Sequence, residues 1–398
     1  MKKPRIFITI HYLELGGAEA SLIGLLQAID YNKVDVDLFV HAHHGELMQM
    51  IPKEVNLLPE IKKYSVVEAP IATCVKRGFI DVALCRVIGK IKCMLYYKTH
   101  SEVADDDDYY LSHYTTWLLP KINPEVEYDL AISFLTPHKI VLDKVRAKKK
   151  VAWIHTDYQT LKVAKELALP VWSQYDKIIS ISKDITITFL NVFPSLSDKI
   201  VEVENILSSA FIRKRAELYD VDGEMSSSDL NLLSVGRYCH AKNYDNVPDI
   251  AKRIVGAGYG NLKWYIIGFG GDESLIRQKI AEAGMEDHVI MLGKKNNPYP
   301  YIKACDIYVQ PSRYEGKSIT VREAQILGKP VVITNYATAN SQIQDGVDGV
   351  IAPMDNEGCA KSITNVIENK ELQNNLEAYL STHDYGNEAE VEKIYALI

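Results

Sequence analysis

Two glutamates stand in the stretch "SRYEGKSITVREAQILGKPVV" (Ser312–Val332), with seven residues between them. Glu315 sits beside a glycine after an apolar run, and Glu323 sits in a helical pattern. Carboxylates so placed could serve as an acid and a base, hold a metal, or accept hydrogen bonds from a sugar and a ribose. The preceding "CDIYVQPS" reads as a strand, so the amides of Lys317, Ser318, Ile319 and Thr320 would open a helix and attract phosphate. The plainer reading is that both acids merely favour a helix start. "SVGRYCHAKNYD" (Ser234–Asp245) follows another strand and carries Arg237 and Lys242. A guanidinium fork and an ammonium point charge suit a diphosphate, although two surface cations are common.

Three further features are weaker alone. "LGGAEASL" places Gly16 and Gly17 before a helix, and "IIGFGGD" ends a strand in glycines. Neither completes the G-x-G-x-x-G fingerprint, so dinucleotide binding is disfavoured. The second allows close backbone approach to a ligand or to the Arg237 loop. His155 in "WIHTD" follows a strand, where a histidine is more often structural.

These residues need elements to hold them. Short β-branched runs predict strands at Arg5–Ile10, Val34–His41, Tyr128–Leu135, Lys149–Thr156 and Lys177–Ser182. A second series follows at Leu230–Arg237, Leu262–Gly271, His288–Gly293, Cys305–Ser312 and Lys329–Asn335. Helical patterns such as Gly17–Ile29, Ser274–Ala283 and Ile319–Leu327 alternate with them. The polar, serine-rich Glu204–Asp229 reads as the linker. Two doubly wound α/β domains are expected, with function at the carboxyl ends of the strands, in the cleft between them.

A length of 398 residues agrees with two cores, and 24% charged with 47% apolar residues is ordinary globular composition. A formal net charge of −7 argues against a nucleic-acid partner. The six cysteines form no C-x-x-C pair, so neither a zinc site nor a disulfide framework is expected, and the cytoplasm is the expected compartment. No 18-residue apolar run predicts a membrane span, and the N-terminus reads as a strand rather than a signal peptide. Residues 72–100 carry six Lys/Arg and one Asp among apolar residues. They predict one or two basic amphipathic helices, either an ordinary surface pair or a face lying on an anionic membrane. The aspartates of "ADDDDYY" (Ala104–Tyr110) could suggest a metal-binding D-x-D, but lacking a leading strand they read as a solvated loop.

Together, Arg237, Lys242, the two glutamates of "YEGKSITVREA" and the early "GGAE" resemble the retaining glycosyltransferases of family 4, of GT-B fold. The likeness is strongest over Leu230–Ile351, and within the family it is closer to bacterial surface-polysaccharide enzymes. The resemblance implies that Arg237 and Lys242 bind the donor diphosphate, Glu323 the ribose and Glu315 the donor sugar. It also implies that Ser318 and Ile319 support phosphate or sugar through their amides, and that the backbone of Gly293–Lys295 meets the base. Gly16 and Gly17 would close a loop over the diphosphate, and His155 would lie by the reacting sugar. Lys317 departs from the family habit of an aromatic–Gly after "EG" and leaves the donor sugar open. The implied domains are 1–207 on the acceptor side, 208–380 on the donor side, and a last helix at 381–398 packing back on the first. The implied substrates are a nucleotide sugar, UDP-linked as a first choice, and a glycan or lipid-linked acceptor. No metal or other cofactor is implied. A nucleotide-sugar epimerase and a non-catalytic sugar-nucleotide-binding subunit remain as alternatives.

Overall fold

The computed structural model describes residues 3–14, 16–99, 107–158 and 163–398. The chain forms two compact units: residues 1–206 with 387–398, and residues 207–386.

The first unit is built on seven parallel strands: β1 (Arg5–Ile10), β2 (Asp35–Val40), β3 (Asn56–Leu57), β4 (Tyr128–Ser133), β5 (Ala147–Ile154), β6 (Lys177–Ser180) and β7 (Ile200–Glu202). Their order is β3-β2-β1-β4-β5-β6-β7. The second unit has six: β8 (Leu230–Val235), β9 (Leu262–Ile267), β10 (Val289–Gly293), β11 (Ile307–Gln310), β12 (Val331–Thr334) and β13 (Val350–Ala352). Their order is β10-β9-β8-β11-β12-β13. Sheets buried on both faces favour consecutive apolar residues, as in RIFITI of β1 and VVIT of β12, whereas β2 (DVDLFV) alternates at its start and keeps Asp37 buried. In the second sheet Leu232, Trp264, Ile266 and Val309 pack on one face and Leu233, Tyr265, Ile267 and Tyr308 on the other, as a period of two requires.

Both sheets reverse their winding once, between β1 and β4 and between β8 and β11. At such a reversal the connecting segments diverge to opposite faces and leave a crevice beyond the carboxyl ends of the strands.

Several expectations change. The short edge strands β3, β7 and β13 were not expected, because two or three residues carry no periodicity. The division between the units, at Ile206 and Leu207, falls inside the expected linker, but most of that stretch is structured. Ser209–Ala216 is a helix capped by the Ser208 hydroxyl, and Val221 and Met225 are buried in the second core. Residues 381–386 stay with the second unit, and the chain returns only at Asn387. The returning end is held by the Tyr395 hydroxyl, which accepts from the Asp30 amide at 2.7 Å, and by the Lys33–Glu392 ion pair. Residues 104–106 of the aspartate run lie outside the described residues, while Asp107–Thr116 is a helix rather than a loop. The basic region forms two helices, Ile71–Lys76 and Ile80–Thr99. All six cysteines are free thiols. Among the described residues no helix is long and apolar enough to cross a membrane.

Candidate functional site

The segment after β8 and the segment after β11 meet at the reversal of the second sheet. Lys242 Nζ and Glu315 Oε1 are 2.5 Å apart, both mostly shielded from water. The same carboxylate oxygen accepts from Ser312 Oγ at 2.6 Å and Gln310 Nε2 at 3.3 Å. Gln310 is itself oriented by the Tyr308 hydroxyl, at 2.8 Å, so the glutamate is fixed from inside the core. A second clamp joins the two segments. Arg313 makes a fork with Asp245, at 2.9 and 2.7 Å, and donates to the His240 carbonyl at 2.7 Å. Burial pulls the Asp245 carboxyl upward, but hydrogen bonds and charge from Arg313 outweigh it and hold the group below its usual range. Arg237 is exposed and, among the described residues, without an ion-pair partner. The site therefore pairs a neutralised Lys242–Glu315 couple with a free guanidinium, an arrangement ready for an anion.

Glycines make this approach possible. A Cβ at Gly236 would lie 2.7 Å from the Tyr244 hydroxyl and 3.1 Å from Lys242 Cε. A Cβ at Gly268 would lie 1.9 Å from the Gly236 carbonyl oxygen, so the glycine-rich end of β9 abuts the Arg237 loop.

Glu323 lies in the helix Ile319–Ile326, in its second turn rather than the first, so the helix start contributes little to its charge. It is 5% exposed, and burial raises its pKa to about 7 against the downward pull of the Tyr299 hydroxyl, which donates to Oε1 at 2.9 Å. The carboxyl is thus poised to ionise near neutrality. The helix start is partly occupied. The Ser318 amide donates to Gln342 Oε1 at 3.1 Å, leaving the amide of Ile319 as the next in line for an anion. Lys317 is half-buried. Gly293 ends β10 with φ 68°, a left-handed turn that suits glycine. Lys295 is drawn to Glu224 at 2.6 Å and lies over the Tyr301 ring.

Gly16, Gly17 and His155 belong to the first unit. Gly16 caps the helix Gly17–Ala28 in extended conformation, and a Cβ there would fall 2.1 Å from a Glu19 carboxylate oxygen. His155 follows β5, with its ring 4.6 Å from Phe134 and stacked on Trp153 at 5.8 Å. Burial, with the repulsion of His138, lowers its pKa to about 3, so it is a neutral imidazole at pH 7, and its Nε2 is buried without a partner. Among the described residues no group of three His, Cys, Asp or Glu is placed to hold a metal.

Sequence reasoning missed Arg313, Asp245, Gln310, Ser312, Tyr299 and Gln342. Arg313 and Ser312 lay inside the quoted stretch, but their partners are too distant in sequence to be read from spacing.

Residues 222–382 match the family model "Glycosyl transferases group 1". AmsD, an amylovoran biosynthesis glycosyltransferase of Erwinia amylovora, is 24% identical over 217 residues, which is 50% of this chain and 61% of AmsD. An N-acetylgalactosaminyltransferase of Campylobacter jejuni, acting by its name on a diphospho-undecaprenol-linked sugar, is 30% identical over 34% of this chain and 36% of its own. The chain thus spans less than two thirds of these relatives. HepE of Anabaena, solved with UDP-glucose, superposes with a TM-score of 0.63 at 16% identity, covering 98% of each chain. TarM superposes with a TM-score of 0.65 at 13% identity, covering 100% of this chain and 99% of its own. At these identities the likeness is one of fold, and that fold is GT-B. The match to the group 1 glycosyl transferases falls within the second unit, residues 207–386.

Proposed function

We propose that the protein is a retaining glycosyltransferase that moves a sugar from a nucleotide sugar to a glycan or lipid-linked acceptor in the synthesis of a surface polysaccharide. The observation that carries this reading is the unpartnered Arg237 beside the Lys242–Glu315 pair at the reversal of the second sheet. A donor diphosphate there meets Arg237 and draws Lys242, which leaves Glu315, still held by Ser312 and Gln310, to accept from the sugar hydroxyls. Glu323, ionised, accepts from the ribose diol. His155, neutral and with an unpartnered Nε2, is the group of the first unit offered to a substrate hydroxyl. The bond from the anomeric carbon to the diphosphate breaks, and its electron pair leaves with the nucleotide. The acceptor oxygen bonds to that carbon from the same face and gives its proton to the departing phosphate. Cations placed where the leaving charge develops are the main source of rate. None of these steps calls on a metal ion. UDP-sugars are the first choice, supported by HepE, which was solved with UDP-glucose.

The test is a panel of nucleotide sugars with the full chain, scored for binding and for release of nucleoside diphosphate. Release with one donor, lost in Lys242→Ala, supports transfer. Isomerised donor without acceptor points to the epimerase instead, and binding to none of the panel removes the proposal.

A membrane surface is the further partner in this reading. On the helix Ile80–Thr99 the outward stripe is Ile80, Leu84, Val87, Ile88, Ile91, Met94 and Leu95, with Leu84 59% and Met94 63% exposed. Exposed Lys90 and Lys92 flank this stripe, one on each side. An apolar stripe edged by lysines suits a helix lying in the interface of an anionic bilayer. Arg86, which by charge alone belonged to this surface, is instead buried on the opposite face. Cosedimentation with vesicles containing phosphatidylglycerol should be lost in Leu84→Glu/Ile91→Glu and weakened in Lys90→Glu/Lys92→Glu. Wild-type binding in all of them would remove the surface from the proposal.

A further inference from the structure

The reversal of the first sheet also opens on a cavity, of about 320 Å³, lined by His11, Tyr12, Glu68, Arg86, Ser112 and Thr136 among others. His11 and Tyr12 follow β1 and Thr136 follows β4, the two strands that flank the reversal. Arg86 reaches the cavity from the inward face of the helix Ile80–Thr99, which it shares with Val82, Cys85 and Cys93. Its side chain is 7% exposed, and its Nε has no hydrogen-bond partner. Among the described residues its Nη1 has only the Cys74 sulfur, at 3.9 Å, a weak acceptor at the limit of contact. Among the described residues no carboxylate forms an ion pair with it.

A guanidinium stays charged at any pH the protein meets, and a charge withdrawn from water without a counter-ion is strongly unfavourable. Folds keep such a charge where a ligand completes it. Among the described residues no other cation lines the cavity. Burial lowers the pKa of His11 to about 4, so it is neutral at pH 7. Glu68, half-exposed at the rim and 3.8 Å from His11 Nδ1, is an acceptor for hydroxyls. A planar fork facing a carboxylate across a polar cavity fits a molecule that carries an oxyanion at one end and hydroxyls at the other.

We propose that this cavity is an oxyanion subsite, in which Arg86 receives a phosphate or carboxylate carried by the acceptor and Glu68 receives its hydroxyls. Only the word acceptor rests on the glycosyltransferase reading; the anion site does not. A phosphate would come from a lipid-phosphate carrier, a carboxylate from an acidic sugar.

The test uses the full chain with saturating UDP, which fills the cations of the second unit. Inorganic pyrophosphate and D-glucuronate are titrated separately by calorimetry. Binding of pyrophosphate alone assigns the phosphate source, and binding of glucuronate alone the carboxylate source; either supports the site. Arg86→Met should weaken the bound anion by at least about tenfold, the loss that a charge-assisted hydrogen bond carries. It should also melt no lower than wild type without ligand, since it removes an uncompensated charge. Glu68→Gln, which removes the negative charge that shares the cavity with Arg86, should tighten the anion. Binding of neither probe, or wild-type affinity in both variants, overturns the proposal, as does a lowered melting temperature in Arg86→Met with anion binding intact. UDP-sugar binding in Arg86→Met should be unchanged. If no nucleotide sugar is turned over while pyrophosphate still binds through Arg86, the glycosyltransferase reading falls and the subsite stands.

Discussion

Two sheets of the same winding reverse at equivalent places, yet the charges gathered there are settled in opposite ways. Beyond β8 and β11 a lysine and a glutamate neutralise one another, held by a second pair, Arg313–Asp245, and the remaining guanidinium of Arg237 faces solvent. Beyond β1 and β4, His11 and His138 are neutral, and the buried guanidinium of Arg86 has, among the described residues, only a thiol. The first arrangement is rigid before a ligand arrives and exchanges one partner for another when it does. The second is incomplete until something binds. Shared topology places both crevices; side-chain chemistry decides what each can hold.

The largest expected effect tests the preset side of this contrast. Lys242→Ala should reduce sugar transfer by about a hundredfold or more, because a preorganised cation acts mainly on the developing charge, and should also lower the melting temperature, because Glu315 loses its counter-ion. Unchanged turnover, measured as nucleotide release, would falsify the role given to the pair. Arg313→Ala comes next. Removing the fork that ties the two segments should destabilise the second unit by about 2 kcal/mol, read by chemical denaturation, since its bonds are charge-assisted and half-buried. If stability holds, Glu315 is positioned from the core alone.

Glu323→Gln should weaken UDP-sugar binding by about tenfold and remove a pH dependence. The wild-type carboxyl, with a pKa raised from 4.5 to about 7, gains charge between pH 6 and 8, so donor affinity should rise over that window. The sign for stability is opposite. A raised folded pKa favours the protonated form, so that contribution is full below about pH 4.5 and is lost as pH rises through about 7. Glu323→Gln should therefore gain in melting temperature relative to wild type at pH 8 more than at pH 5. A flat wild-type affinity profile would place the ribose elsewhere. The smallest effect is expected at Lys295, whose pair with Glu224 is partly exposed: Lys295→Ala should cost under about 1 kcal/mol. A large loss of UDP affinity in that variant would mean that the lysine leaves Glu224 for the nucleotide.

The central strands were legible because parallel strands covered on both faces demand unbroken β-branched runs, and "RIFITI" or "LKWYII" can do little else. The expected linker was misread because its serines and acids hide the anchors Ile212, Val221 and Met225. Arg237, Lys242, Glu315 and Glu323 were legible as residues, by resemblance more than by spacing. Their relations were not. Lys242 and Glu315 are 73 positions apart, and nothing local says that they touch. The Ser318 amide, expected to await phosphate, is taken by Gln342, 24 positions away. Arg86 was misjudged for a different reason. Composition counted it with the lysines of its helix, whereas the helical phase, four residues after Val82 and seven before Cys93, sets it inward.

That helix, apolar outside and cationic within, has a kinetic consequence. A protein resting on lipid through its outward stripe would sample acceptors in two dimensions, while its other substrate arrives from bulk water. Its rate would then follow the mole fraction of acceptor in the surface. Diluting the acceptor with inert lipid at constant total concentration would slow the reaction, and adding more vesicles of the same composition would not speed it.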